Sequence, residues 1–190
     1  MAEAHPNRRE HILAEAEQLF VSHGIAQVTT RQIAQAVGIS QPSLYAHFGS
    51  RDAIAVELCR RAFETLTARL TAADSQGGTA LERLVRQSRE YVAFGLAHEA
   101  AYRVAFMMDM PGDGSADKQV VIEAGVGAFG ILYALFVETH GPGALMAAQS
   151  AWASLHGLVA LLLARADFPW VERESLIEHH IAGVCRAALA

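Results

Sequence analysis

The sequence predicts an all-α protein of about nine helices, in which an N-terminal three-helix domain holding a helix-turn-helix precedes a larger helical domain. Three observations carry that reading. Apolar residues recur at helical spacing along most of the chain, and capping signals punctuate the periodic stretches. The stretch Thr29 to Arg51, TTRQIAQAVGISQPSLYAHFGSR, reads as two short helices joined by a tight turn. The chain has 190 residues, enough for a small domain over 1–52 and a larger one over 53–190.

Residues up to Pro6 read as a loose arm, and Asn7 with Glu10 offers a capping box for a first helix over Arg8 to His23. Ile12, Leu13, Ala16, Leu19 and Phe20 form its apolar face, and Gly24 closes it. Thr29 with Gln32 is the next capping box. It opens a helix whose inward residues are Ile33, Ala34 and Val37, and which Gly38 ends. Ser40 caps the following helix, Pro42 sits in its first turn, and Leu44 and Phe48 point back into the core. Ser50 caps a fourth helix with the stripe Leu58, Cys59, Ala62, Phe63, Leu66 and Leu70. AADSQGG, from Ala72, breaks it.

Thr79 with Glu82 opens a fifth helix carrying Leu81, Leu84, Val85, Tyr91 and Val92, and a short sixth begins around His98. MPGDGSAD, from Met110 to Asp117, reads as a loop. The helix after it, to about Thr139, contains Gly125, Gly127 and Gly130, each costing about 1 kcal/mol relative to alanine. Either a neighbouring helix approaches closely there, or room is left for a ligand. HGPG, from His140, is a turn. Gly143 to Ala164 then runs for 22 residues without a charge. Gln149, Ser150, Ser154 and His156 within the run, and no basic cluster beyond Arg165, argue for a buried helix instead of a membrane span. A last helix over Glu172 to Leu189 has Leu176, Ile177, Ile181, Val184, Cys185 and Ala188 on one face.

The helix-turn-helix leaves Gln41, Pro42, Ser43, Ala46 and His47 without a core role, where a recognition helix presents side chains to a major groove. Glutamine can bond an adenine edge at two points, serine tolerates several bases, and Pro42 can touch a thymine methyl. No lysine or arginine sits on that helix, which argues against tight guanine readout. Thr29, Thr30, Arg31 and Arg51 lie near helix N-termini, whose free amides favour a phosphate, and Arg8 and Arg9 are within reach of one from the first helix.

The gapless pattern T-T-x-x-I-A-x-x-V-G-I-S-x-x-S-L-Y-x-H-F-x-S-R, as it stands from Thr29 to Arg51, resembles the tetracycline-repressor-like (TetR) family of transcriptional regulators. Trp152, His156 and Gly157 resemble the W-x-x-x-H-G signature of one TetR subgroup. A proline often follows the histidine at the start of the sixth helix in that family; Glu99 follows His98 here. The resemblance implies phosphate contacts for Tyr45 and His47, and a C-terminal domain that binds a small-molecule effector. It also implies a homodimer joined by a four-helix bundle, for which Leu155, Val159, Leu162, Ile177, Ile181 and Val184 are the interface candidates. Pocket candidates are Phe63, Tyr91, Phe94, Tyr102, Phe106, Met107, Phe129, Tyr133, Trp152 and His156; their mostly apolar character points to an uncharged or aromatic effector.

Composition agrees with this in part. An apolar share of 52% suggests apolar surface buried against another chain, so dimerisation is expected. The net charge is −5, and Met1 to Asp52 holds four arginines against five acids, so any attraction to double-stranded DNA must be local. Cys59 and Cys185 lack disulfide or metal spacing and read as buried thiols. The N-terminus carries no apolar targeting segment, so a cytoplasmic protein is expected. No paired Glu-x-x-His, phosphate loop or nucleophile elbow occurs, so no enzyme, cofactor or metal is expected. The competing class is a helical-bundle enzyme, or a ligand-binding protein that does not touch DNA.

Overall fold

A computed structural model of the chain describes residues 8–109 and 116–188. The Asn7 cap, the N-terminal arm, most of the 110–117 loop and Leu189 lie outside the described residues. In order, the helices are α1 Arg8–His23, α2 Thr30–Val37, α3 Gln41–Tyr45, α4 Arg51–Asp74, α5 Ala80–Ala97, α6 Glu99–Tyr102, α7 Ala116–His140, α8 Ala144–Ala164 and α9 Arg173–Ala188. No strand occurs among the described residues. The chain forms two compact units, one of Met1–Ala62 with Ala100–Ala124 and one of Phe63–Glu99 with Gly125–Ala190. α4 and α7 each continue from one unit into the other.

In the first unit, Ile12, Ala16 and Phe20 of α1, Ile33 of α2, Leu44 of α3 and Ile54 and Cys59 of α4 are fully buried. Thr29 caps α2 as expected: its hydroxyl accepts from the Gln32 amide at 3.2 Å while the Gln32 side chain accepts from the Thr29 amide at 2.8 Å. Gly38 ends α2 at φ 72°, a left-handed conformation that a β-carbon would strain. Ser40 then caps α3, accepting from the Ser43 amide at 3.3 Å, and its hydroxyl lies 2.9 Å from that of Ser43. Ser50 caps α4 through the Ala53 amide at 2.9 Å. α6 runs on into a π-helical turn, Arg103–Met107, which brings Tyr102 and Val104 into the core; Val104 accepts from the Cys59 thiol.

A charged frame joins α1 to α4. Glu57 accepts from Arg9 at 2.9 Å, from Arg60 at 2.9 Å and from Arg61 at 2.8 Å, while Arg61 also pairs with Glu10. Arg60 first, then Arg9 and Arg61, hold the Glu57 carboxyl at about 2, against burial, which works the other way. A carboxyl depressed on folding contributes stability that is fully present above its unfolded value, near 4.5, and is lost as pH falls through about 2. At ~1.4 kcal/mol per unit, the contribution is on the order of 3 kcal/mol. Glu57→Gln should therefore lower the urea midpoint at pH 7 and flatten its fall between pH 5 and 2. Equal pH slopes for variant and parent would contradict that role.

In the second unit α5, α8 and α9 pack on one another. Thr79 and Glu82 form the expected capping box of α5, but Leu81 is exposed instead of inward. Leu84, Phe94, Leu135, Phe136, Leu155, Val159 and Ile181 are among its fully enclosed residues. Arg83 bridges Asp74 and Glu138, and Gln87 donates to Asp74 at 2.8 Å. Of the helical glycines in α7, Gly125 is the one approached closely: a β-carbon there would lie 3.3 Å from the Phe63 ring, whereas Gly127 and Gly130 face open space.

Lys118–Ala164 is long and apolar enough to cross a membrane by length and composition, but the turn Gly141–Gly143 divides it. α8 buries Ala144, Ala148, Ala151, Leu155, Val159 and Leu162 along one face at helical spacing. Glu172 caps α9, accepting from the Glu174 and Ser175 amides at 2.9 and 2.7 Å. Burial pushes the Cys59 thiol up to about 12 and raises that of Cys185, so both stay protonated and unreactive.

Candidate nucleic-acid interface and effector region

The recognition helix α3 is five residues long, too short to persist alone, and is held by two anchors. Leu44 is fully buried and Phe48, just beyond the helix, is nearly so. Pro42, Ser43, Tyr45 and His47 are exposed and Gln41 is half-buried. The expected division of labour along Gln41 to Phe48 is therefore present: two residues in the core, six outside it.

The outward residues are not independent. Gln41 Nε2 donates to Thr30 Oγ1 at 2.9 Å, and that oxygen lies 3.3 Å from the Tyr45 hydroxyl. Thr29 is exposed but its hydroxyl serves the α2 cap, and Ser43 shares its hydroxyl with Ser40. Arg31 is exposed. Arg51 is turned to structural use, donating from Nε to Asp52 at 2.7 Å and from Nη1 to the carbonyls of Ala26 and Val28 at 3.0 and 3.4 Å. Arg9, expected within reach of a phosphate, instead pairs with Glu57 and lies 4.6 Å over the Phe48 ring. Spacing alone does not reveal such partners, because they lie 48 and 39 residues away in the chain.

Five of the pocket candidates form a contiguous aromatic run in the second unit. Trp152 Nε1 donates to the Tyr91 hydroxyl at 3.2 Å; Phe129 stacks with Tyr133 at 6.1 Å and meets Trp152 at 5.9 Å; and Trp152 lies 6.3 Å from His156. Burial lowers the His156 pKa, which favours the neutral ring. Tyr133 and Trp152 keep more than a third of their surface, so the run has an open side. Phe63 and Phe94 are buried in the same unit, Phe63 against Gly125 and Phe94 with its ring 5.3 Å from His98. Tyr102, Phe106 and Met107 belong to the first unit, where Tyr102 stacks on Phe106 at 4.7 Å.

The interface candidates differ in burial. Leu155, Val159, Leu162, Ile177 and Ile181 are buried within the single chain, so their burial needs no partner. Val184 is half-buried and lines a groove of about 540 Å³ between α8 and α9, together with His140, Met146, Ser150, Ser154 and Ala187. The sequence signal for that groove is the small residues at Ala147, Ser150, Ala151 and Ser154, whose spacing leaves one side of α8 shallow.

Residues 12–58 match the family described as bacterial regulatory proteins, tetR family, and residues 84–184 match the tetracyclin repressor-like C-terminal domain. The nucleoid occlusion factor SlmA of Aliivibrio fischeri is 49% identical over 47 residues, 24% of this chain and 24% of that protein. The HTH-type transcriptional repressor KstR2 of Rhodococcus jostii is 34% identical over 96 residues, 49% of this chain and 46% of that one. The matched part thus spans less than half the length of either relative. The solved structure of the transcriptional regulator FadR from Bacillus subtilis, in complex with stearoyl-CoA, shares the fold at a TM-score of 0.76 and 16% identity, covering 95% of this chain and 97% of that one. The chain belongs to the tetR family of bacterial regulatory proteins, the DNA-binding transcriptional regulators built on this two-part helical plan.

Proposed function

We propose that this regulator is a cytoplasmic repressor, not an enzyme, which binds an inverted-repeat operator as a homodimer and is released by a small apolar or aromatic effector. The observation that carries the reading is α3, anchored by Leu44 and Phe48 with Gln41, Pro42, Ser43, Tyr45 and His47 left over for DNA. Gln41, Pro42 and Ser43 meet base edges, while Tyr45, His47, Thr29 and Arg31 hold the backbone. The similarity to KstR2, a transcriptional repressor, supports the sign of regulation.

The effector would lie against Tyr91, Phe129, Tyr133, Trp152 and His156, and the stearoyl-CoA bound by the FadR structure supports an apolar molecule. Trp152, His156 and Gly157 support the W-x-x-x-H-G subgroup. The outward faces of α8 and α9, with Met146 78% exposed at the groove and Leu161 52% exposed further along α8, supply the surface for a second copy. Two-fold symmetry in the protein is then mirrored in the site, with half-sites about 34 to 36 Å apart. α4 runs unbroken from the DNA-binding unit into the effector-binding unit, so an effector that prefers one placement of α4 changes DNA affinity.

Selection of bound duplexes from a randomised pool tests the reading. An inverted repeat should emerge. Gln41→Ala should relax preference at one base pair per half-site, by about 1 to 3 kcal/mol, whereas Tyr45→Phe should weaken all sequences alike. Unchanged base preference in Gln41→Ala would remove Gln41 from the reading surface.

A further inference from the structure

We propose that Thr30 is a positioning residue which fixes the Gln41 amide with its carbonyl outward, so that the base met by Gln41 is one bearing an exocyclic amino group, adenine or cytosine. The inference rests on Gln41 reading a base, as argued above, and deepens it by naming what is read.

Thr30 is the first residue of α2, and the capping of that helix is done by Thr29. The Thr30 hydroxyl is therefore free of local duty, and it is spent on α3. It accepts from Gln41 Nε2 at 2.9 Å and lies 3.3 Å from the Tyr45 hydroxyl. A hydroxyl has one proton and two lone pairs. One lone pair is taken by Gln41, and either hydroxyl can donate between Thr30 and Tyr45; when Thr30 donates, the Tyr45 proton is left for an acceptor outside the protein. Tyr45 is 49% exposed, so a DNA phosphate can supply that acceptor. In that arrangement the chain of donors runs Gln41, Thr30, Tyr45, phosphate.

Gln41 Oε1 has no partner among the described residues. An unpaired carbonyl facing the major groove accepts from adenine N6 or cytosine N4, and meets only acceptor oxygens on guanine O6 and thymine O4. The second amide proton can add adenine N7, which favours adenine of the two. Holding a long side chain in its reading pose before DNA arrives also removes part of the ordering cost of binding. One hydroxyl thus couples a residue that selects sequence to a residue that grips the backbone.

The test is selection from a randomised duplex pool with full-length wild type, Gln41→Ala, Thr30→Val, Thr30→Ala and Thr30→Ser, each checked for an unchanged melting temperature. Wild type should select adenine or cytosine at one position per half-site, and Gln41→Ala should erase that preference. Thr30→Val and Thr30→Ala should weaken it ~2- to 12-fold, the range that freezing one flexible side chain carries. Thr30→Ser should restore it, and adding Thr30→Val to Gln41→Ala should cost nothing further at that position. Selection of guanine or thymine would mean that the amide faces the other way, and would overturn the proposal. An undiminished preference in both Thr30→Val and Thr30→Ala would overturn it while leaving Gln41 as the reader. Gln41→Ala without effect would remove the reading beneath it.

Discussion

Ile181→Asp should unfold the second unit outright. Ile181 is 1% exposed, on the face of α9 that packs against α5 and α8, and the nearest guanidinium on that face, Arg89, is already paired with Glu178. An unpaired buried charge costs several kcal/mol, against a total domain stability of about 5 to 15 kcal/mol. Circular dichroism should show loss of helix or of the cooperative transition, and sedimentation should show aggregates or expanded chains. Leu162→Asp, at 3% exposed, should behave alike. A folded, monomeric Ile181→Asp would instead place that residue at a subunit contact, and the single-chain core described here would be wrong.

Leu44→Ala should abolish operator binding through the fold of the first unit. Leu44 is fully buried, and truncating such a leucine costs about 2 to 5 kcal/mol. α3 has only five residues and no stability of its own, so the loss falls on the pose of Gln41, Ser43 and Tyr45. A mobility-shift titration should show a complex weaker by roughly 30-fold or more, accompanied by a lower melting temperature. Retention of wild-type affinity would mean that Phe48 alone seats the recognition helix.

The N-terminal half was legible because its signals are local. Thr29 with Gln32, Gly38, Ser40 and Leu44 lie within sixteen residues, and each acts on its near neighbours. The same holds for Thr79 with Glu82. Arg9 and Arg51 were not legible, since nothing near them in sequence announces Phe48, Glu57 or the carbonyls of Ala26 and Val28. The two faces of α8 are hard to tell apart for a different reason. A helix apolar on every side gives no contrast from which to separate the face turned to its own core from the face left over, so Leu155, Val159 and Leu162 could be assigned to either. The pocket candidates suffered from the same ambiguity, because an aromatic at helical spacing fills a core and lines a cavity equally well.

The diversion of arginines into internal bonds bears on how ionic strength acts on the complex. Each phosphate neutralised by a protein cation releases condensed counterions and steepens the fall of affinity with salt by about 0.9 in a log-log plot. Here Arg9 and Arg51 are already engaged by Glu57, Asp52 and backbone carbonyls, α3 carries no cation, and the chain as a whole bears −5. Few counterions leave when such a surface docks. In the proposed complex Arg31 remains as an exposed cation for the backbone, and the rest of the grip falls to uncharged groups such as the Tyr45 hydroxyl, whose bonds weaken little with salt. The same surface casts little long-range field, so sliding along non-specific duplex is weak, and occupancy of the operator depends on the fit at the bases more than on a reservoir of loosely held protein.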